Sequence, residues 1–377
     1  MNILHKFHEI SNNSNSYIKK IKKEKNKIII GSLCSFVPEE IINAANAVSY
    51  RILPAHHTTL FANLHLQSYS CGYIRSVLEE KISGRLDFLD AVIFPHTCDS
   101  IQRLSDIWRM TQSGIHFDIL FPAKLNTKSS KEYLIKILLR FKSELEQKFS
   151  ITISDLNIKK SIFLINNIKN NIKKIYNIRE KNPLILKGKD IFAVQKAGTF
   201  MDKKEFLSML LELIAELEEK FLKQKSPKGR KRLIISGNIC SISNIYSFIE
   251  DLKADIIWDD LCIGSKYFEN KIDENQKNIF KAIAEKYFKK SICPAKHLGI
   301  RNRGEYLLKI IKKKKIDGVI FLFLKFCDPH SFDYPYLKEM LNKEKIPCLL
   351  IETEIFEKNT TRIKTRYQAF LEIINKI

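Results

Sequence analysis

No run of 18 or more apolar residues occurs in the 377-residue chain, so the sequence offers no membrane-crossing helix. The opening MNILHKFHEISNNSN lacks the apolar stretch of a secretory leader. A cytoplasmic location is therefore expected, where structural disulfides are rare. GxGxxG and GxxxxGK[ST] are absent, which removes the common dinucleotide and nucleotide phosphate cradles. HExxH and GxSxG are absent as well, leaving no zincin helix and no nucleophile elbow. There is no CxxC…CxxC knuckle and no CxxCxxC run, so local spacing announces no metal site.

What is present suits a folded enzyme. Hydrophobic residues make up 45% of the chain and aromatics 10%, enough to bury a core and to exclude a disordered basic arm. Lys and Arg outnumber Asp and Glu by 64 − 42 = 22. The surplus is mostly Lys and is spread along the chain, whereas Arg, the usual reader of base edges, is scarce. With no reader fold and no aromatic–basic interleaving, a nucleic-acid partner is not expected. The charge is a compositional habit that raises encounter rates with anions, the phosphates of a coenzyme A thioester among them.

The apolar pattern divides the chain into a basic N-terminal segment (1–27), an α/β lobe (28–125), a helical region (126–228) and a second α/β lobe (229–377). Residues 1–27 read as one helix or a frayed arm. Strands are expected at IIIGSL after Lys27, at 50–53, at AVIFP before His96 and at FDILFP after His116. Helical patterns lie between them, including IINAANAVSY (41–50) and SCGYIRSVLEEKI from Ser70. Residues 126–225 carry three long Lys/Glu-rich helical patterns and no strand. The second lobe offers strands at LIISG (233–237), DIIWDD (255–260), GVIFLFLKF (318–326) and CLLIE (348–352). Strands alternating with helices predict an α/β fold of two doubly wound parallel-sheet lobes joined by a helical bridging region.

In such sheets ligands gather beyond the carboxyl ends of strands. Cys34, Cys98, Cys262 and Cys327 each follow an expected strand, and Cys71 and Cys293 sit at loop-to-helix positions. Cys240 and Cys348 read as structural. His56, His57 and His65 read as loop or surface histidines rather than ligands. Cys98 with His96 is a conceivable nucleophile pair, though a two-residue separation is poor geometry for one.

These residues lie in a series of motifs: CSFVPEEIINAA (34–45), SYSCGYIRSVLE (68–79), FPHTCDSIQRLSDIW (94–108), DDLCIGSKYF (259–268), DGVIFLFLKFCDP (317–329), and IPCLLIETE with TRYQAFLEII (346–354 and 365–374). In that order they resemble the D-component superfamily of 2-hydroxyacyl-CoA dehydratases and benzoyl-CoA reductases, from about residue 28 to the end. The helical middle matches in pattern only. The resemblance implies a four-iron four-sulfur cluster held by Cys71, Cys98 and Cys327, with one iron lacking a protein ligand and Ser35 near that open iron. It further implies a separate ATP-dependent iron–sulfur activator, which fits the missing phosphate-binding loop. That activator delivers one low-potential electron, by way of the cluster, to an acyl-CoA thioester, and a ketyl radical forms. A second subunit is implied too, homologous or identical.

Three cysteines exceed what one cubane needs. A relative within the superfamily carries a double cubane of eight irons and nine sulfurs, which takes six thiolates. Cys34, Cys262 and Cys293 are the additional ligands in that case, and the protein is then an ATP-dependent low-potential reductase of small molecules. The alternative leaves those three as buried thiols. An accessory paralogue without a cluster is disfavoured by the presence of all three core positions. The substrate and the residues that touch coenzyme A are not readable from the motifs.

Overall fold

The computed structural model describes residues 2–54, 59–111, 114–239, 244–289, 292–297, 299–355 and 360–376. Two helices open it, α1 (Ile3–Asn12) and α2 (Ser14–Lys25). Both are docked rather than frayed, because Ile3 and Phe7 on α1 and Ile18 and Ile21 on α2 fall at helical spacing and are buried. The Phe7 ring meets Phe206 edge-on at 6.1 Å.

The first lobe consists of β1 (Ile28–Ser32), α3 (Glu39–Ala44), β2 (Ala47–Arg51), α4 (Gly72–Ile82), β3 (Ala91–Phe94), α5 (Asp99–Thr111) and β4 (Ile115–Asp118). Its four strands are all parallel and run in the order β2-β1-β3-β4. One boundary departs from the sequence expectation. The stretch 41–50 is not one helix, since α3 stops at Ala44 and β2 starts at Ala47. Asn46 between them has φ +56°, a left-handed conformation that Asn tolerates and that ends the helix. Val48 and Tyr50 then pair with Ile29 and Gly31 of β1.

Four helices follow: α6 (Lys128–Phe149), α7 (Asp155–Lys181), α8 (Gly188–Gly198) and α9 (Lys203–Lys223). They cover the sheets. Leu134, Leu138 and Phe141 of α6 share one apolar cluster with Ile30, Ala91 and Ile93 of the first sheet. Ile168, Ile172 and Ile175 of α7 and Leu210 and Leu213 of α9 belong to a larger cluster reaching Ile29 and Val48 on one side and Ile234, Val319 and Phe321 on the other. The two lobes are therefore buried against shared helices.

The second lobe holds β5 (Lys231–Gly237), α10 (Asn244–Asp251), β6 (Ala254–Asp260), α11 (Ile279–Lys289), β7 (Ile292–Cys293), β8 (Lys296–His297), α12 (Ile300–Lys314), β9 (Gly318–Leu324), α13 (Asp328–Lys343), β10 (Cys348–Thr353) and α14 (Thr360–Lys376). Its parallel sheet runs β6-β5-β9-β10, and β7 and β8 form a separate antiparallel hairpin. Numbering the four parallel strands within each lobe, both sheets read second, first, third, fourth, so the lobes share one topology. Every residue of β6 and of β9 is buried; β9 is accordingly a continuous apolar run without alternation, whereas β6 also buries Asp255, Asp259 and Asp260.

Gly237 closes β5 where a Cβ would come within 1.9 Å of the Leu322 carbonyl oxygen of β9. A Gly237→Ala chain must part these two strands at their carboxyl ends. It should lose about 1–3 kcal/mol of stability to overpacking, seen as a lower urea midpoint; an unchanged midpoint would show that the strands can give way freely.

Candidate functional site

The shared topology aims four strand ends at one place. In each sheet the chain reverses its winding between the first and third strands, and the crevice beyond their carboxyl ends is where ligands bind in open α/β sheets. Cys34 and Cys98 follow β1 and β3 of the first sheet, and Asn238 and Cys327 follow β5 and β9 of the second. All four line a single cavity of about 100 Å³ between the lobes, and Cys71, Cys262 and Cys293 line it too. The six cysteines singled out in the sequence thus converge. Cys71 arrives as the residue capping α4, and Cys327 as the residue capping α13. Cys293 arrives on β7 of the short hairpin, not at a loop-to-helix junction. The seven described cysteines carry reduced thiols.

The six fall into two trios. Cys34, Cys262 and Cys293 also line an adjoining pocket of about 20 Å³ that the other three do not reach. On the opposite side the Cys71 thiol donates to Cys327, and that bond is the largest influence raising Cys71; burial adds to it. The same bond is the leading cause that holds Cys327 down at about 7, with Asn238 and the His330 N–H helping against burial. Its place at the N-terminus of α13 suits a thiolate. Burial pushes Cys98 and Cys293 each up to about 12, and neighbouring thiols push the same way. Burial likewise raises Cys262, which Lys266 partly offsets.

Six thiols around one apolar cavity cannot all ionise unaided, because each thiolate disfavours the next. A cationic metal–sulfide core is the kind of group that would displace their protons and hold the thiolates. Among the described residues, no three His, Cys, Asp or Glu side chains converge on one metal ion. Two buried donors reach these sulfurs as well. The Asn238 side chain bonds Cys327 and the Arg51 side chain bonds Cys34, and both residues line the cavity. Sulfur–iron chemistry uses such donors to tune potential.

His96 is occupied elsewhere. It sits at φ +45° and its Nε2 lies 2.6 Å from Asp118 Oδ1, so it clasps the loop before Cys98 to β4. Asp118 also accepts from Ser105 at 2.7 Å. Ser35 lines the two chambers beyond Cys34 rather than the six-cysteine cavity itself. His65 is exposed, and His56, His57 and Cys240 lie outside the described residues. Cys348 begins β10, partly buried and not on the cavity.

The family model for the 2-hydroxyglutaryl-CoA dehydratase D-component matches residues 34–374. The chain belongs to this family. It is 26% identical over 372 residues to the (R)-phenyllactyl-CoA dehydratase beta subunit of Clostridium sporogenes, covering 98% of this chain and 97% of that one. It is 24% identical over 373 residues to the beta subunit of lactoyl-CoA dehydratase from Anaerotignum propionicum, covering 99% and 98%. A benzoyl-CoA reductase subunit from Thauera aromatica is 26% identical over 333 residues, covering 85% and 84%. This D-component chain is therefore an enzyme component of the dehydratase and benzoyl-CoA reductase class. Among its described residues no helix is long and apolar enough to cross a membrane.

Two cavity residues of the D-component chain, Arg51 and Asn238, do not stand out in the sequence. Arg51 reads there only as part of an expected strand. Asn238 follows a strand end as the cysteines do, and that position is the signal that could flag it.

Proposed function

We propose that the protein is the iron–sulfur subunit of a low-potential enzyme related to the 2-hydroxyacyl-CoA dehydratases and benzoyl-CoA reductases, with its cluster in the six-cysteine cavity. The observation that carries this is the convergence of six thiols, from both lobes, on the crevice between two facing sheet ends. Cys71, Cys98 and Cys327 are the core ligands. A cluster held there supplies one-electron chemistry at low potential, and the protein supplies position and electrostatics. Cys327, already the most acidic of the trio with Cys71 and Cys98, is the natural first ligand. Arg51 and Asn238 present N–H groups to sulfur, and Leu33, Ile74, Ile101 and Leu324 keep the cavity apolar.

A specific observation favours the larger cluster. Cys34, Cys262 and Cys293 share the cavity with the core trio and form a trio of their own, as two cubanes joined through a sulfide require. On this reading the substrate is a small molecule, whereas the three-cysteine reading keeps an acyl-CoA thioester. Either way the protein pairs with a homologous or identical chain and takes its electrons from a separate ATP-dependent iron–sulfur activator.

Iron and sulfide analysis of anaerobically purified protein tests both readings. About eight irons per chain supports six ligands and about four supports three, by cluster stoichiometry. Iron-free, colourless protein after reconstitution with iron and sulfide would end the proposal.

A further inference from the structure

Next to the cluster cavity lies a second chamber of about 70 Å³, reached past Cys34, Arg51 and Cys262, which line both spaces. By the volume one water needs, it has room for roughly five waters. Its walls are charged and deeply buried. Lys169, Lys203, Lys286 and Arg51 are at most 9% exposed, and Glu40, beneath the wall, is fully buried.

The charges do not balance. Lys286 Nζ sits 2.8 Å from both carboxylate oxygens of Glu40, and Lys169 is 3.9 Å from the same group. Lys203 lies 3.3 Å from Glu39. Tyr267 donates to Glu39 at 3.2 Å, and its ring carries Lys169 and Lys203 at 5.5 and 5.8 Å. Among the described residues, four cations therefore face two carboxylates, with Lys169 also donating to Asn270 O at 3.1 Å; Arg51 and Lys203 are the two at the open side. Burial favours the neutral form of Glu39, but Lys203, Lys169 and Lys286 outweigh it and hold this carboxyl at about 2. The Glu39 carboxylate is thus already counted as charged. Lys203 has three N–H donors and two described acceptors, Gly198 O at 2.8 Å and Glu39. Arg51 bonds Cys34 through its guanidinium and keeps its buried Nε without a partner where the chamber meets the cluster cavity. Uncompensated buried charge is costly, and an anionic guest relieves it.

We propose that this chamber binds a compact anion of carboxylate or small oxoanion size, held by Arg51 and Lys203 at the edge of the cluster cavity. The inference rests on the cluster reading for its meaning, since it narrows the substrate to a small anion. It rests on the chamber alone for its test.

The test is isothermal titration of the anaerobically purified full-length chain with sodium formate in low-chloride buffer, with iron content measured on the same sample. Saturable binding of formate, and none of methylammonium, is expected. Lys203→Gln should weaken formate binding at least about tenfold, and Glu39→Gln should tighten it, as charge changes a few ångströms away require. The opposite signs separate electrostatics from damage to the fold, and Glu39→Gln alone stays decisive if Lys203→Gln does not fold. Formate that does not bind, or that binds equally well in wild type and Glu39→Gln, overturns the proposal. The cationic excess would then serve only to balance the negative cluster. Iron present without formate binding defeats the chamber and leaves the cluster standing; formate binding without iron does the reverse.

Discussion

A chain in which Cys34, Cys262 and Cys293 are all replaced by Ala should hold about four irons where the wild type holds about eight. The reason is geometric. These three line both the shared cavity and the 20 Å³ pocket beside it, and the other trio lines only the former. Removing one trio deletes the ligands of one half and spares the half organised by the Cys71–Cys327 hydrogen bond. The reverse replacement, Cys71, Cys98 and Cys327 to Ala, should be more damaging. It removes Cys327, whose thiol is held down at about 7, and with it both residues that cap α4 and α13. Iron should fall below half, with loss of the visible absorption. If the first variant keeps its full iron content, Cys34, Cys262 and Cys293 are bystanders and the three-cysteine cluster is the correct one. If the second keeps it, the ligand assignment fails entirely.

Lys286→Met should destabilise the protein by about 3–5 kcal/mol, the cost of leaving a buried charge without its partner. Glu40 is fully buried and accepts from Lys286 through both oxygens at 2.8 Å. Its remaining cation, Lys169, stands 3.9 Å away. The Lys286 ammonium also lies 4.4 Å from the Tyr287 ring centre, and this cation–π attraction vanishes with the charge. The pair ties α3 to α11, the helix that leads into the hairpin bearing Cys293. Urea unfolding would measure the loss. Replacing both partners, Glu40→Gln with Lys286→Met, should recover a large part of it, and the double-mutant cycle would give the coupling. A loss below about 1 kcal/mol in the single variant would mean that Glu40 finds other compensation.

Much of the architecture was legible in the chain. β9 is buried on both faces and is an uninterrupted apolar run, and β5 and β6 each carry a short apolar core, Leu233–Ile235 and Ile256–Trp258, that marks the strand. The long helices of the middle region carry their apolar residues at helical period, and the structure has helices there. The failures are local. Residues 41–50 look helical until Asn46 turns left-handed, a backbone event with no periodicity to announce it. The β7–β8 hairpin is two residues per strand, too short for any alternation to show. The buried lysines of the anion chamber were hidden for a different reason. In a chain this rich in Lys, nothing in the sequence separates Lys169, Lys203 and Lys286 from their solvated neighbours, because burial is decided by which helix face the partner element covers.

The cysteines mark the same boundary. That Cys34, Cys71, Cys98, Cys262 and Cys327 stand at the ends of secondary-structure elements follows from the one-dimensional pattern alone, since strand ends are readable where apolar runs stop; the placing of Cys293 on the two-residue strand β7 does not. That all six meet does not follow from it either. Their meeting depends on two sheets of identical strand order being packed on shared helices with their carboxyl ends facing, which brings residues as distant as Cys34 and Cys327 to one cavity. Sequence by itself determined the lobes, the family resemblance and the ligand candidates. Tertiary structure decided that Cys34, Cys262 and Cys293 share a cavity with Cys71, Cys98 and Cys327, and that a buried surplus of positive charge lies beside them. Long-range packing sets both, and neither leaves a local trace.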